Sequence, residues 1–160
     1  MKRLLIFSFL LVSGFLAAQD AAEETETSMH TWYTNLDEAK SVAQKSNKPI
    51  LVFFTGSDWC APCVVLKKDF FETEEFAKRA ENMVLVLIDY PRRRDILTAE
   101  ELAYNKTIVA KYNKTKTFPK LVMLTSKAKE IGMISGYSSF STYHDTSYHF
   151  AFVDKHLSNF

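Results

Sequence analysis

Seven residues, Ser57-Asp58-Trp59-Cys60-Ala61-Pro62-Cys63, constrain this chain more tightly than any other stretch. They follow an unbroken apolar run, Ile50-Leu51-Val52-Phe53-Phe54, of the kind expected for a strand covered on both faces. Gly56 breaks that run, and a helix is expected to begin around Cys60 and to continue through Phe70 or beyond. A helix N-terminus presents unsatisfied N–H groups and the positive end of a dipole, and both stabilise a thiolate. Cys60 falls at that mouth, its sulfur expected to be exposed, and a lowered pKa would make it the attacking group. Cys63 lies one turn further on. It can reach back to Cys60 and resolve a mixed disulfide by expelling the released thiol. Pro62 belongs to the first turn, where a missing N–H is tolerated and a fixed φ pre-sets the helix. Trp59 is expected to shield the pair and to offer apolar contact to a substrate chain.

The compartment decides how two cysteines are read. Lys2 and Arg3 precede an apolar run from Leu4 to Leu16, and small residues end at Ala18. These are the three parts of a cleaved secretory signal peptide over residues 1–18. The apolar run is shorter than the roughly 20 residues of a spanning helix, which disfavours a membrane anchor. Exported cysteines are usually structural disulfides. A bridge across two intervening residues, however, closes too short a loop to restrain the unfolded chain much, so its expected use is to be made and broken. A zinc site would need four ligands. There is no third cysteine, and His30, His144, His149 and His156 show no ligand spacing, so no metal is expected.

The rest of the chain reads as one domain of alternating elements. Residues 19–30 form an acidic, aperiodic leader expected to be flexible, and the domain spans 31–160. Asn35 with Glu38 suggests a capped helix with Leu36, Ala39 and Ala43 inward, ending near Asn47. A short helix over about Thr73–Ala80 and a buried strand over Met83–Ile88 follow. Thr98 and Glu101 make a capping box for a helix that buries Leu102, Val109 and Tyr112. Pro119 precedes a strand from Lys120 to Thr125. Residues 126–129 then turn into an antiparallel partner, Glu130 to Ser135. A last helix, about Ser141 to Leu157, is expected to turn Tyr148, Phe152 and Leu157 inward. This order indicates an α/β domain with a central mixed sheet flanked by helices.

At Trp59-Cys60-Ala61-Pro62-Cys63 the sequence resembles the thioredoxin superfamily, and the resemblance covers nearly all of residues 31–160. Lys48-Pro49-Ile50-Leu51-Val52 and the Gly56-Ser57-Asp58-Trp59 approach are similar to its exported reductase and isomerase subgroup. Thr117-Phe118-Pro119 corresponds to the family's cis-proline loop, which packs on the cysteine pair and presents backbone groups to an extended substrate. The resemblance implies a thioredoxin-like fold with Cys60 and Cys63 as catalytic, disulfide-forming residues. It also implies substrate contacts at Trp59, Pro62, Phe118 and Pro119. Two departures stand out. Thioredoxins carry a buried acid late in the first core strand, matched here by Phe54, and the usual Gly-Pro between the cysteines is Ala-Pro.

The expected activity is therefore thiol–disulfide exchange on protein disulfides in the periplasm or after secretion. Reductase or isomerase is favoured over oxidase, the direction depending on a potential the residues do not state. No cofactor is needed, since the electrons reside in the cysteine pair. A separate donor, a membrane electron carrier being expected, would keep a reductase reduced. The alternatives are a thioredoxin-fold module that grips extended peptides while its thiols matter little, and a dedicated partner of one redox protein. A monomer is expected. The chain carries 20 basic against 19 acidic residues, and 18 against 19 without residues 1–18. Nothing there suggests a nucleic-acid partner. The closing His156-Leu157-Ser158-Asn159-Phe160 carries no Lys-Asp-Glu-Leu type signal, which favours periplasm or secretion. Arg92-Arg93-Arg94 could form a patch for an acidic partner, but three charges after Tyr90-Pro91 read first as a solvated loop, and Tyr137, Tyr143 and Tyr148 read as packing residues rather than a binding cage. Lys68 or Asp69 could tune the thiols, though nothing in the sequence singles them out.

Overall fold

A computed structural model of the chain describes residues 30–137 and 145–160. The expected signal peptide, the leader up to residue 29, Tyr143, His144 and the expected start of the last helix at Ser141 lie outside the described residues. Strand β1 is Trp32–Tyr33, helix α1 Leu36–Ser46 and strand β2 Ile50–Thr55. Helix α2, Ala61–Leu66, runs on without a break into a π-helical turn, Lys67–Phe71. Helix α3 (Glu74–Ala80), strand β3 (Val84–Asp89) and helix α4 (Ala99–Tyr112) follow. The hairpin β4 (Lys120–Leu124) and β5 (Glu130–Ser135) leads to helix α5, Ser147–Leu157.

Local chemistry accounts for the helix ends. Asn35 Oδ1 accepts the N–H groups of Asp37 and Glu38 at 2.9 and 3.1 Å, and Asn47 closes α1 in the left-handed region at φ 51°. The Thr98–Glu101 capping box is complete in both directions. Each feature was legible because its partner lies within four residues.

The sheet order is β1-β3-β2-β4-β5, with β1, β3 and β2 parallel and β4 and β5 antiparallel to their neighbours. Every residue of the central β2 is buried. Its alternation divides the core into two clusters. Leu51 and Phe53 point to the face holding both cysteines, Phe70, Phe76 and Val153. Ile50, Val52 and Phe54 point to the face covered by Leu36, Ile108 and Val109. Burying both faces of one apolar strand is the main stabilising term available to this fold.

Helix α5 corrects the expected facing. Tyr148 is 53% exposed, and the inner side is formed by His149, Val153 and His156, with Phe152 and Leu157 half-buried. An aromatic residue looks like the better core candidate, but here histidine rings fill the inner positions. His149 stands edge-on to Tyr137 at 5.3 Å and is tilted against Phe70 at 5.6 Å. His156 fits over Gly132 of β5, where an added Cβ would come within 2.2 Å of its Nε2. His30, expected to end the leader, is already docked: its ring meets Phe76 edge-on and its Nε2 lies 3.2 Å from the Phe71 carbonyl.

Candidate functional site

The two cysteines sit where strand β2 hands over to helix α2. Cys60 is the N-cap of α2, and its carbonyl accepts the N–H groups of Cys63 at 2.9 Å and Val64 at 3.3 Å. Pro62 occupies the first turn. Because α2 and the π-helical turn form one segment, the N-terminal dipole end at Cys60 is backed by more than a single turn. Cys60 and Cys63 are joined by a disulfide with an S–S distance of 2.00 Å.

The expected exposure of Cys60 is corrected. It is 3% exposed and Cys63 2%, both within a cluster that includes Trp59 and Phe118. The cover is thin. Ala61, the next residue, is exposed, Val64 is 59% exposed, and Trp59 and Phe118 are only half-buried. In this disulfide state both cysteines are buried beside these more exposed neighbours, past the end of β2 rather than within the sheet.

Three loops meet at that end. The first is the approach loop, residues 56–60, pinned by the Asp89 side chain at the end of β3 and by the backbone of the loop that follows, the second of the three. Asp89 accepts the Ser57 N–H at 2.8 Å and its hydroxyl at 2.6 Å, and the Trp59 indole N–H donates to the Tyr90 carbonyl at 2.8 Å. In return Asp58 accepts the backbone N–H groups of Arg92 and Arg93 at 3.0 and 2.9 Å. Partial desolvation pushes the Asp58 carboxyl upward, but these N–H groups and the Arg93 guanidinium hold it below the ordinary carboxylate range.

The third loop brings Phe118 and Pro119. Asn113, fully buried at the end of α4, clamps it by donating to the Thr117 carbonyl at 2.8 Å and accepting the Thr117 N–H at 3.1 Å. The Phe118–Pro119 peptide bond is cis. Phe118 meets Trp59 edge-on at 5.3 Å and stacks with Tyr90 at 5.9 Å. The Pro119 carbonyl accepts the Gly136 N–H at 2.9 Å, tying the loop to the end of β5.

The structure thus gathers Cys60, Cys63, Trp59, Pro62, Phe118 and Pro119, all singled out in the sequence, at one end of the sheet. Tyr90, Arg92 and Asp89 join them and were not anticipated there, nor was the role of Asp58 in fastening them. Their partners lie 31 to 35 residues away in sequence, beyond any spacing rule. Phe54 stands at the position matched to the family's buried acid. It points to the opposite face, and Phe53 shares the cysteines' face. Neither side of β2 therefore carries a carboxylate toward the disulfide. Asp69, on the π-helical turn, accepts the hydroxyl of the fully buried Tyr137 at 2.9 Å.

A thioredoxin-like family model matches residues 31–126, from β1 to the turn between β4 and β5. The chain belongs to the thioredoxin-like family. This thioredoxin-like chain is 28% identical over 140 residues to the thioredoxin-related protein DsbJ of Chlamydia pneumoniae, a match covering 87% of the chain and 40% of DsbJ. It is 32% identical over 95 residues to the disulfide bond reductase DsbH of the same organism, covering 59% of the chain and 56% of DsbH. The chain therefore spans about half the length of the curated relatives it matches. A solved structure of a DsbH oxidoreductase superposes with a TM-score of 0.66 at 26% identity, covering 80% of this chain and 84% of that one.

Gly56 is required by this geometry. A Cβ there would lie 2.3 Å from Trp59 Cε2, and the indole cannot simply swing aside because its N–H is held by Tyr90. Gly56→Ala is expected to destabilise the fold by about 1–3 kcal/mol and to lift Trp59 off Phe118. Chemical denaturation read by tryptophan fluorescence checks both effects. An unshifted midpoint with unchanged emission would contradict the packing argument.

Proposed function

We propose that this chain is a thiol–disulfide oxidoreductase acting on protein disulfides outside the cytoplasm, in the reductase or isomerase direction. The observation that carries the reading is the Cys60–Cys63 disulfide at a helix N-terminus, beside a cis-proline loop and under a thin aromatic cover. The name of the relative DsbH, a disulfide bond reductase, supports the direction.

In the reduced chain Cys60 attacks as thiolate. Its sulfur bonds to one sulfur of the substrate disulfide, and the other substrate sulfur leaves as a thiolate that takes up a proton. Cys63, deprotonated in turn, attacks the Cys60 sulfur and expels the second substrate thiol. Two electrons have passed to the substrate, and the Cys60–Cys63 disulfide remains. A separate donor, for which a membrane electron carrier is the expected class, then reduces it. Trp59 and Pro62 border the substrate groove, and Phe118 and Pro119 form its wall. Residues 1–18 act as the export signal, residues 19–30 as a leader, and the chain works as a monomer.

The deciding measurement is the equilibrium reduction potential against glutathione, combined with insulin reduction in the presence of a chemical donor. A value near that of thioredoxin, about −270 mV, with insulin turnover supports the reductase. A value near −120 mV would reverse the direction to oxidase. A reducing potential without any turnover of protein disulfides would leave a peptide-binding module or a dedicated redox partner.

A further inference from the structure

The Arg92-Arg93-Arg94 stretch reads as an ordinary solvated loop in the sequence. The structure places it on the rim of the disulfide site. The Arg92 guanidinium lies 4.6 Å over the Trp59 ring, one residue from Cys60. The same Trp59 meets Phe118, so Arg92, Trp59 and Phe118 form a continuous surface from the basic loop to the cis-proline loop.

Cations outnumber acids on the loops that meet here, five against three counting Asp89. The rim carries acids, but their oxygens are turned to local partners. Asp58 accepts from the Arg92 and Arg93 backbone, Asp89 accepts from Ser57, and Asp95 pairs with the Arg93 guanidinium. Arg92 and Arg94 are exposed and make no ion pair among the described residues. Exposed Lys114 and Lys116 stand on the loop that delivers Phe118, likewise without an ion pair among the described residues. A chain whose overall charge is close to neutral thus carries exposed cations on both loops that deliver residues to the Trp59–Phe118 surface beside its disulfide.

Resting on the oxidoreductase reading, we infer that the basic rim selects protein substrates whose disulfide is flanked by acidic residues. Arg92 and Arg94 are the principal docking charges. The apolar floor of Trp59 and Phe118 suits a polypeptide, and the cations suit Asp or Glu a few residues from the reacting cysteine. Such charges act on encounter and on the orientation of the segment more than on the chemistry of sulfur exchange. Arg92 and Arg94 are positioning residues in this sense.

The test uses the reduced full-length mature protein and three peptides of equal length, each with one internal disulfide flanked by Glu, Gln or Lys. At about 20 mM salt the Glu peptide is expected to show a kcat/KM roughly tenfold above the Gln peptide, with the Lys peptide lowest. At about 500 mM salt the order should flatten, since screening then acts within a few ångströms. Arg92→Gln with Arg94→Gln is expected to lower the Glu-to-Gln preference about fivefold, and the paired Lys replacements to retain it. Equal rates on the three wild-type reactions, or a preference that survives the Gln variant, overturns the inference.

A second readout separates this inference from the reading it rests on. A cysteine-free Glu-rich peptide is titrated against the oxidised protein, with tryptophan emission reporting on Trp59 beneath Arg92. If the wild type reduces none of the disulfide peptides, the oxidoreductase reading fails. Saturable, salt-sensitive binding lost in the Gln variant then upholds the basic rim on its own, and absence of binding overturns it.

Discussion

Cys60→Ser is expected to abolish turnover of protein disulfides, lowering kcat/KM by at least about a thousandfold. A serine hydroxyl at the same N-cap stays protonated at neutral pH and cannot replace the attacking sulfur. Cys63→Ser has a different signature. The first attack still proceeds, the resolving thiol is missing, and a mixed disulfide through Cys60 accumulates that reducing agent releases. Non-reducing gels and mass spectrometry of the trapped adduct read this directly. Neither change should unfold the protein, because a bridge over two residues restrains a very short loop and contributes no more than about 2 kcal/mol. Undiminished turnover in Cys60→Ser would remove the nucleophile and the proposed function with it.

His149 governs the second large effect, which is on stability. Its ring is 1% exposed, between Phe70 and Tyr137, and no hydrogen bond of normal geometry reaches either nitrogen among the described residues. Burial pushes its pKa from 6.5 down to about 4, against weaker upward pulls from the Gly136 backbone and the Asp145 carboxylate. Between those two values the unfolded chain binds a proton that the folded chain excludes. Stability therefore rises with pH through that window and falls as pH drops from about 6.5 toward 4. The loss reaches about 2–3 kcal/mol near pH 4.5, or roughly 10 °C in Tm for a domain of this size.

His149→Phe removes the titrating group and two unsatisfied nitrogens from an aromatic pocket. It should match or exceed wild-type stability at pH 7 and lose the extra acid sensitivity. His149→Leu serves as a smaller replacement should the phenyl ring overfill the site. Thermal unfolding of wild type and variants from pH 4.5 to 7.5 makes the comparison. Parallel curves would show that His149 is not the acid-sensitive group. The Asp154–Arg79 pair also loosens at low pH, but it is common to all three proteins and cancels in the difference.

Much of the fold was legible because its signals are short-ranged. The Asn35 and Thr98 caps, the Pro62 helix start and the β4–β5 hairpin depend on residues a few positions apart. The buried run from Ile50 announces a central strand by composition alone. The cysteine spacing likewise places both sulfurs on one helical turn, whatever the rest of the chain does. These features carried the thioredoxin-like architecture and the pairing of Cys60 with Cys63.

What only the tertiary structure decided is what faces what. Tyr148 turned outward and His149 inward because α5 packs back on Tyr137 and β5 and on Phe70, which lies far from it in sequence. Phe53 rather than Phe54 faces the disulfide because strand alternation has no sign until helices arrive on both sides of the sheet. Cys60 was buried rather than exposed because it joins a cluster against which Trp59 and Phe118 pack, from loops nearly sixty residues apart. Arg92 became a rim residue because Asp58 fastens its backbone there. Sequence alone determined the chemistry this chain carries. The distant contacts, whose energies depend on which surfaces meet, determined what surrounds that chemistry.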